Sequence, residues 1–135
     1  KVPMPIVLKE EFKVVMDRQL LEALLEGARR LHPREILLLL RGRKEKGGVE
    51  ITEFLFPPFS ARGKDFASFS VQALPLDPSL VGTAHSHPSG NLSPSPTDLN
   101  RFFGKVMLIM GFPYLNEENV AVYDGKGRRI PLSLR

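Results

Sequence analysis

The chain has 135 residues, 42% of them hydrophobic and 25% charged, with a formal net charge of +4 and no cysteine. That is enough chain for one domain, residues 1–135, with a single core and an ordinary globular composition. It excludes a disulfide framework and any thiolate metal site, and no apolar run approaches the ~20 residues of a membrane span.

Residues 12–16 read as a first strand. Asp17 follows as an N-cap, its carboxylate accepting from the unpaired amides of a helix. Leu20, Leu21, Leu24, Leu25, Ala28 and Leu31 fall on one face of that helix. Pro33 ends it, because His32 before a proline is pushed out of the helical region. The apolar run 36–40, opened by Glu35, reads as a strand covered on both faces. Residues 43–48 read as a polar turn and 49–56 as an alternating strand. Residues 57–64 form an irregular loop. Phe69, Val71 and Ala73 alternate with Ser68, Ser70 and Gln72, as in a strand with one wet face. Residues 81–85 form a short strand, 96–103 a helix ended near Gly104, and 106–110, 120–123 and 129–134 three closing strands. Asp124-Gly125-Lys126-Gly127 is a hairpin turn between the last two. The expected class is α/β, a mixed sheet flanked by helices. The first nine residues are too short and interrupted for a signal peptide, and the lack of cysteine fits a reducing compartment, so a cytoplasmic location is expected.

The chemistry concentrates in residues 85–98. His85 and His87 stand at i and i+2, so in extended backbone both side chains point to one face and can reach one ion. A loop with Gly90 and two prolines turns the chain back. Ser95-Pro96-Thr97-Asp98 then reads as a helix start, with Ser at the N-cap, Pro at N1 and an acid at N3. Asp98 can supply a third ligand. Three ligands from nitrogen and oxygen, with a fourth position open, is the arrangement of catalytic rather than structural zinc. Hydrolysis also needs a proton acceptor and donor, for which Glu35 at the mouth of the apolar strand is the candidate. The Ser95 hydroxyl can serve a developing oxyanion. Each residue has an ordinary explanation as well. A His-x-His pair is usually structural, Ser95 and Asp98 make a capping box, Glu35 sits beside Arg34 as a surface residue would, and His32 is a helix-end residue. The conjunction is what argues for a site.

That conjunction, His85-Ser86-His87, seven residues, Ser95, two residues, Asp98, with Glu35 upstream and Pro88 after the second histidine, resembles the signature of the JAMM (MPN-plus) metalloproteases. The order of elements resembles that family over essentially the whole chain, and the size resembles its stand-alone archaeal-type members. The resemblance implies a three-layer fold of the JAMM/MPN, cytidine-deaminase-like type. It implies one zinc per chain on His85, His87 and Asp98, with Glu35 as general acid/base and Ser95 stabilising the oxyanion. The implied partner is a ubiquitin-like small modifier with its conjugates, cleaved after its C-terminal Gly-Gly. Strand pairing of that tail needs an exposed edge, and the strand of Ser68, Ser70 and Gln72 is the substrate-binding candidate. Two other readings are processing of a ubiquitin-like sulfur-carrier protein and a non-catalytic scaffold of the same fold. Scaffold members typically lack the ligands, which this chain keeps. Nucleic-acid binding rests only on the +4 charge, without a basic run interleaved with aromatics. No membrane partner is expected.

Overall fold

The computed structural model describes residues 12–57 and 77–135. The expected strand of Ser68, Ser70 and Gln72, with most of the loop before it, lies outside the described residues.

The first strand, β1 (Lys13–Met16), leads into helix α1 (Arg18–Leu31). Asp17 caps this helix by accepting from the Gln19 amide at 3.1 Å, and the helix ends at His32. Leu21, Leu24, Leu25 and Ala28 form its buried face, as the spacing of the apolar residues requires. β2 (Leu37–Glu45) and β3 (Gly48–Leu55) form an antiparallel hairpin. The expected polar turn at 43–48 is therefore corrected: β2 continues through Glu45, and the turn is Lys46-Gly47. Charged residues Arg43, Lys44 and Glu45 are tolerated there because that end of the strand is exposed. Its ladder is completed by Glu50, Val49 and Gly48, after a bulge at Arg41/Gly42.

β4 (Leu80–His87) runs two residues beyond the expected strand, through the second histidine. It is held on one side by β2, antiparallel, and on the other by β5 (Val106–Gly111), parallel. Between β4 and β5 lies α2 (Pro96–Asn100), shorter than the expected 96–103. The reason is packing. Phe102 joins the cluster of Met107, Ile109 and Tyr123, while Phe103 joins Leu39 and Leu80. Neighbouring aromatics that anchor in different clusters draw the chain out of the helix. A single 3-10 turn (Glu117–Asn119) precedes β6 (Val120–Tyr123).

The last expected strand, 129–134, is two strands: β7 (Arg129–Ile130) pairs with β6, and β8 (Leu132–Leu134) pairs with β1. Pro131 divides them, having no amide to continue a ladder. The sheet order is β7-β6-β5-β4-β2-β3-β1-β8. One intervening residue thus joins the two outermost strands, and the sheet curls until it nearly closes.

Alternation along the strands separates two faces. Leu38, Leu40, Leu108 and Met110 pack with the buried face of α1 in the main core, while Leu39, Met107 and Ile109 face outward. Leu99 of α2 covers part of that outer face. One helix on each face of a mixed sheet gives the expected three layers. No helix among the described residues is long and apolar enough to cross a membrane.

Candidate active site

The parallel pair β4–β5 is connected through α2, and the site lies at the carboxyl ends of these strands, where strand–loop–helix crossovers leave a crevice. His85 and His87 share the outer face of β4, and Ser86 between them points into the main core, fully buried. Asp98 enters from the first turn of α2. Ser95 caps that helix: its Oγ accepts from the Asp98 amide at 3.0 Å, and the Ser95 amide donates to Asp98 Oδ2 at 2.8 Å. The capping box therefore aims the Asp98 carboxylate at the histidines.

The result is the only three-residue cluster suited to a metal among the described residues. His85 Nε2 lies 3.1 Å from His87 Nε2, His85 Nε2 lies 3.3 Å from Asp98 Oδ1, and His87 Nε2 lies 3.2 Å from Asp98 Oδ2. Ligands about 2.0–2.1 Å from a tetrahedral zinc stand about 3.3–3.4 Å apart. The two imidazole nitrogens stand near that spacing and each has one of the two Asp98 oxygens within 3.3 Å, so the residues fit the ion. The three side chains keep 15%, 16% and 18% of their surface, enough to leave one side of the cluster open.

The tautomer of His87 follows from its partner. Its Nδ1 is 2.6 Å from the carbonyl oxygen of Asn91. A carbonyl only accepts, so Nδ1 carries the proton and donates, leaving Nε2 as the ligand atom. The loop that supplies this carbonyl is itself fixed. The Gly90 amide donates to His87 O, the Ser93 amide to Asn91 Oδ1, and the Tyr123 hydroxyl to Leu92 O at 2.8 Å. Gly90 turns the loop at φ +85°, and Gly111 opposite His87 leaves room for it: a Cβ there would meet Gly90 O at 2.9 Å.

Charge is focused on the cluster. Burial works against the Asp98 charge, yet hydrogen bonds from His85, His87 and the Ser95 amide hold its carboxyl far below the usual range. The hydrogen bond to Asp98 raises the His87 imidazole, against partial burial, and the Asn91 carbonyl and the Glu35 charge add to the rise.

Glu35 is exposed, in the joint between α1 and β2, and lines the same cleft as His85, His87, Ser95 and Asp98. The structure thus brings together Glu35, His85, His87, Ser95 and Asp98, whereas the substrate-binding candidates Ser68, Ser70 and Gln72 lie outside the described residues. It adds partners that the sequence reading missed. The Asn91 contact is made by backbone and has no side-chain signature. Ser86, in the middle of His-x-His, carries no signal of its own. His32 is the expected helix-end residue, and in addition its Nδ1 is 3.2 Å from the Tyr114 hydroxyl and its ring stacks on Phe112 at 4.3 Å.

Such a fold, with a His-His-Asp cluster at the strand ends and a carboxylate lining the same cleft, fits a metalloprotease-like domain with a metal site. Residues 17–124 match the family described as prokaryotic homologs of the JAB domain, and the chain belongs to that family. It is 36% identical over 101 residues to a probable metalloprotease of Haloferax volcanii; the match covers 70% of this chain and 63% of that protein. Among solved structures, a JAB1/MPN domain protein from Archaeoglobus fulgidus superposes with a TM-score of 0.66 at 33% identity, over 90% of this chain and 97% of that one. A structure described as JAMM, a metalloprotease-like zinc site in the proteasome and signalosome, superposes at 0.65 with 31% identity, over 93% of this chain and 98% of the other. A Desulfitobacterium hafniense protein, 18% identical over 90% of this chain and 92% of its own, shares the fold at 0.63.

Proposed function

We propose that this domain is a zinc-dependent isopeptidase that hydrolyses the bond after the C-terminal Gly-Gly of a ubiquitin-like small modifier, releasing it from target lysines. The observation that carries the reading is the convergence of His85, His87 and Asp98 at zinc-ligand spacing, open to a cleft lined by Glu35 and Ser95.

His85 Nε2, His87 Nε2 and an Asp98 carboxylate oxygen would hold one zinc. When bound, zinc supplies Lewis acidity, polarising a carbonyl and lowering the pKa of water toward ~7. Glu35 takes the proton of the attacking water on a carboxylate oxygen and delivers it to the leaving amine nitrogen. Ser95 has two tasks that its hydroxyl can divide. Its lone pair accepts from the Asp98 amide, and its proton is free to donate to the oxyanion on the attacked carbonyl. Retention of the full ligand set, with the carboxylate opposite, favours an enzyme over a scaffold.

The modifier follows from the family resemblance and from the chemistry of a tail. An extended backbone that passes close to the protein to reach the ligands leaves little room for side chains, which selects glycine. The test is kcat/KM on conjugates with altered tails. Replacing either Gly of the tail by Val nearly abolishes cleavage, while changes on the lysine side, a long flexible stem, matter less. Tolerance of Val at either position would make the domain a general peptidase.

A further inference from the structure

We propose that Ser86, the residue between the two ligand histidines, is a positioning residue for Glu35. The inference rests on the reading of Glu35 as the proton carrier and goes beyond it. Glu35 is exposed and is carried on a joint, residues 32–36, that belongs to neither α1 nor β2. Where its carboxylate can reach is therefore set by the backbone on either side. On the N-terminal side, the Arg34 amide donates to Leu31 O at 2.8 Å and ties the joint to the end of α1. On the C-terminal side, the tie is Ser86.

The Ser86 amide donates to the Ile36 carbonyl at 3.1 Å, and the Ile36 amide donates to Ser86 Oγ at 2.9 Å. The register of β2 on β4 begins with Leu37 opposite His85, so Ile36 and Ser86 are the next pair in line. A hydrogen-bonded pair in an antiparallel ladder exchanges two main-chain bonds. This pair makes one of them. The Ser86 hydroxyl takes the amide that a main-chain carbonyl would otherwise hold. The chain thus joins the sheet directly after Glu35 through a side chain, with no buried amide left unpaired.

Burial makes this tie hard to replace. Ser86 and Ile36 are 0% and 2% exposed. Water cannot stand in for a lost acceptor there, and an orphaned buried donor is costly. Among the described residues only Thr83 and Ser86 are polar and buried, so the hydroxyl has no general reason to be in this core. Alternation along β4 turns Ser86 inward and His85 and His87 outward. One strand therefore presents both imidazoles to the metal position and, through the serine between them, anchors the residue next to Glu35.

The experiment compares the full chain with Ser86→Ala, which removes the hydroxyl, and Ser86→Cys, which keeps the volume but offers only a weak acceptor. Three quantities are read: zinc per chain, kcat and KM on a Gly-Gly peptide amide of aminocoumarin, and amide hydrogen exchange with and without zinc. In both variants the Ile36 amide exchanges at least about tenfold faster, while the Leu108 and Met110 amides of β5 are unaffected. A misplacement of about 1 Å can cost about 100-fold in rate, so kcat falls at least about tenfold with KM within about twofold. Zinc content is unchanged. Glu35→Gln serves as the comparator. It is expected to keep zinc and lose about 100- to 10,000-fold in kcat. In that background Ser86→Ala costs less than about twofold more, because no proton carrier is left to misplace. Wild-type kcat or wild-type Ile36 exchange would overturn the proposal, as would a wild-type Ser86→Cys, a loss that merely tracks lost zinc, uniformly faster exchange, or an undiminished loss in the Glu35→Gln background. If Ser86→Ala does not fold, Ser86→Cys carries each of these comparisons. Activity in Glu35→Gln alone would overturn the role of Glu35, whereas the Ile36 exchange judges the tie.

Discussion

At His87 the two ring nitrogens do different work. Nδ1 donates to Asn91 O, and Nε2 faces Asp98 and the metal position. Without metal, the imidazole is raised above 6.5, chiefly by its hydrogen bond to Asp98. A zinc bound here would have to displace that proton, because only the neutral ring is a ligand. Apparent zinc affinity is therefore expected to fall as pH drops through the raised His87 value, by about tenfold per pH unit for one displaced proton. In the metal-free protein the sign is opposite. A raised histidine stabilises the fold fully below its unfolded value, and that contribution is lost as pH climbs through the folded value. Asp98, held low, contributes above the ordinary carboxylate range and loses its contribution in acid. Competitive chelator titrations between about pH 6 and about pH 8 check this; a flat profile would show that His87 is not a ligand. The side-chain partners at this scale were legible in the sequence because spacing fixes them: two histidines on one strand face and an acid at N3. The Asn91 carbonyl was not, because every residue has one. Nor was the contact of His32 with Tyr114, which joins residues more than 80 positions apart in the chain.

α2 makes a separate point at the level of elements. A helix of five residues has little stability of its own, so its capping box decides whether Asp98 is presented at all. Capping and oxyanion stabilisation by Ser95 are separable by substitution. Ser95→Ala removes both and costs ~0.5–2 kcal/mol of stability, whereas Ser95→Gly keeps most of the capping preference and costs only a few tenths. Both variants lack the hydroxyl, so both are expected to lose about 100- to 1,000-fold in kcat. Thermal unfolding beside kcat separates the roles; an active Ser95→Gly would reduce Ser95 to a cap. Elements with a periodic apolar pattern, α1 and β6, were legible nearly to the residue. The misread boundaries lie where long-range partners overrule local pattern. β2 extends into charge because β3 completes its ladder. β4 extends through His87 because β5 supports it. α2 ends early because Phe102 and Phe103 go to different clusters. Pro131 splits the last strand because β6 and β1 each take half.

The whole molecule is a sheet curled until its outermost strands, β7 and β8, are separated by one residue in sequence. β4 is central in this order, so the ligand histidines sit on a strand hydrogen-bonded on both sides. A rigid central strand holds His85 and His87 at ligand spacing before any ion arrives. The mixed sheet flanked by helices was readable from the alternation of patterns, whereas the curl depends on β8 returning to β1 and has no local signal. The central claim is that this preformed cluster holds a zinc required for cleavage. It is tested most directly by the metal content of the purified protein, measured with its cleavage of a Gly-Gly-linked conjugate before chelation, after chelation and after zinc is restored. One zinc per chain is expected, with cleavage lost on stripping and regained with zinc, and with neither metal nor activity in His87→Ala. Undiminished cleavage by the stripped protein, or full zinc occupancy in His85→Ala and His87→Ala, would contradict the account.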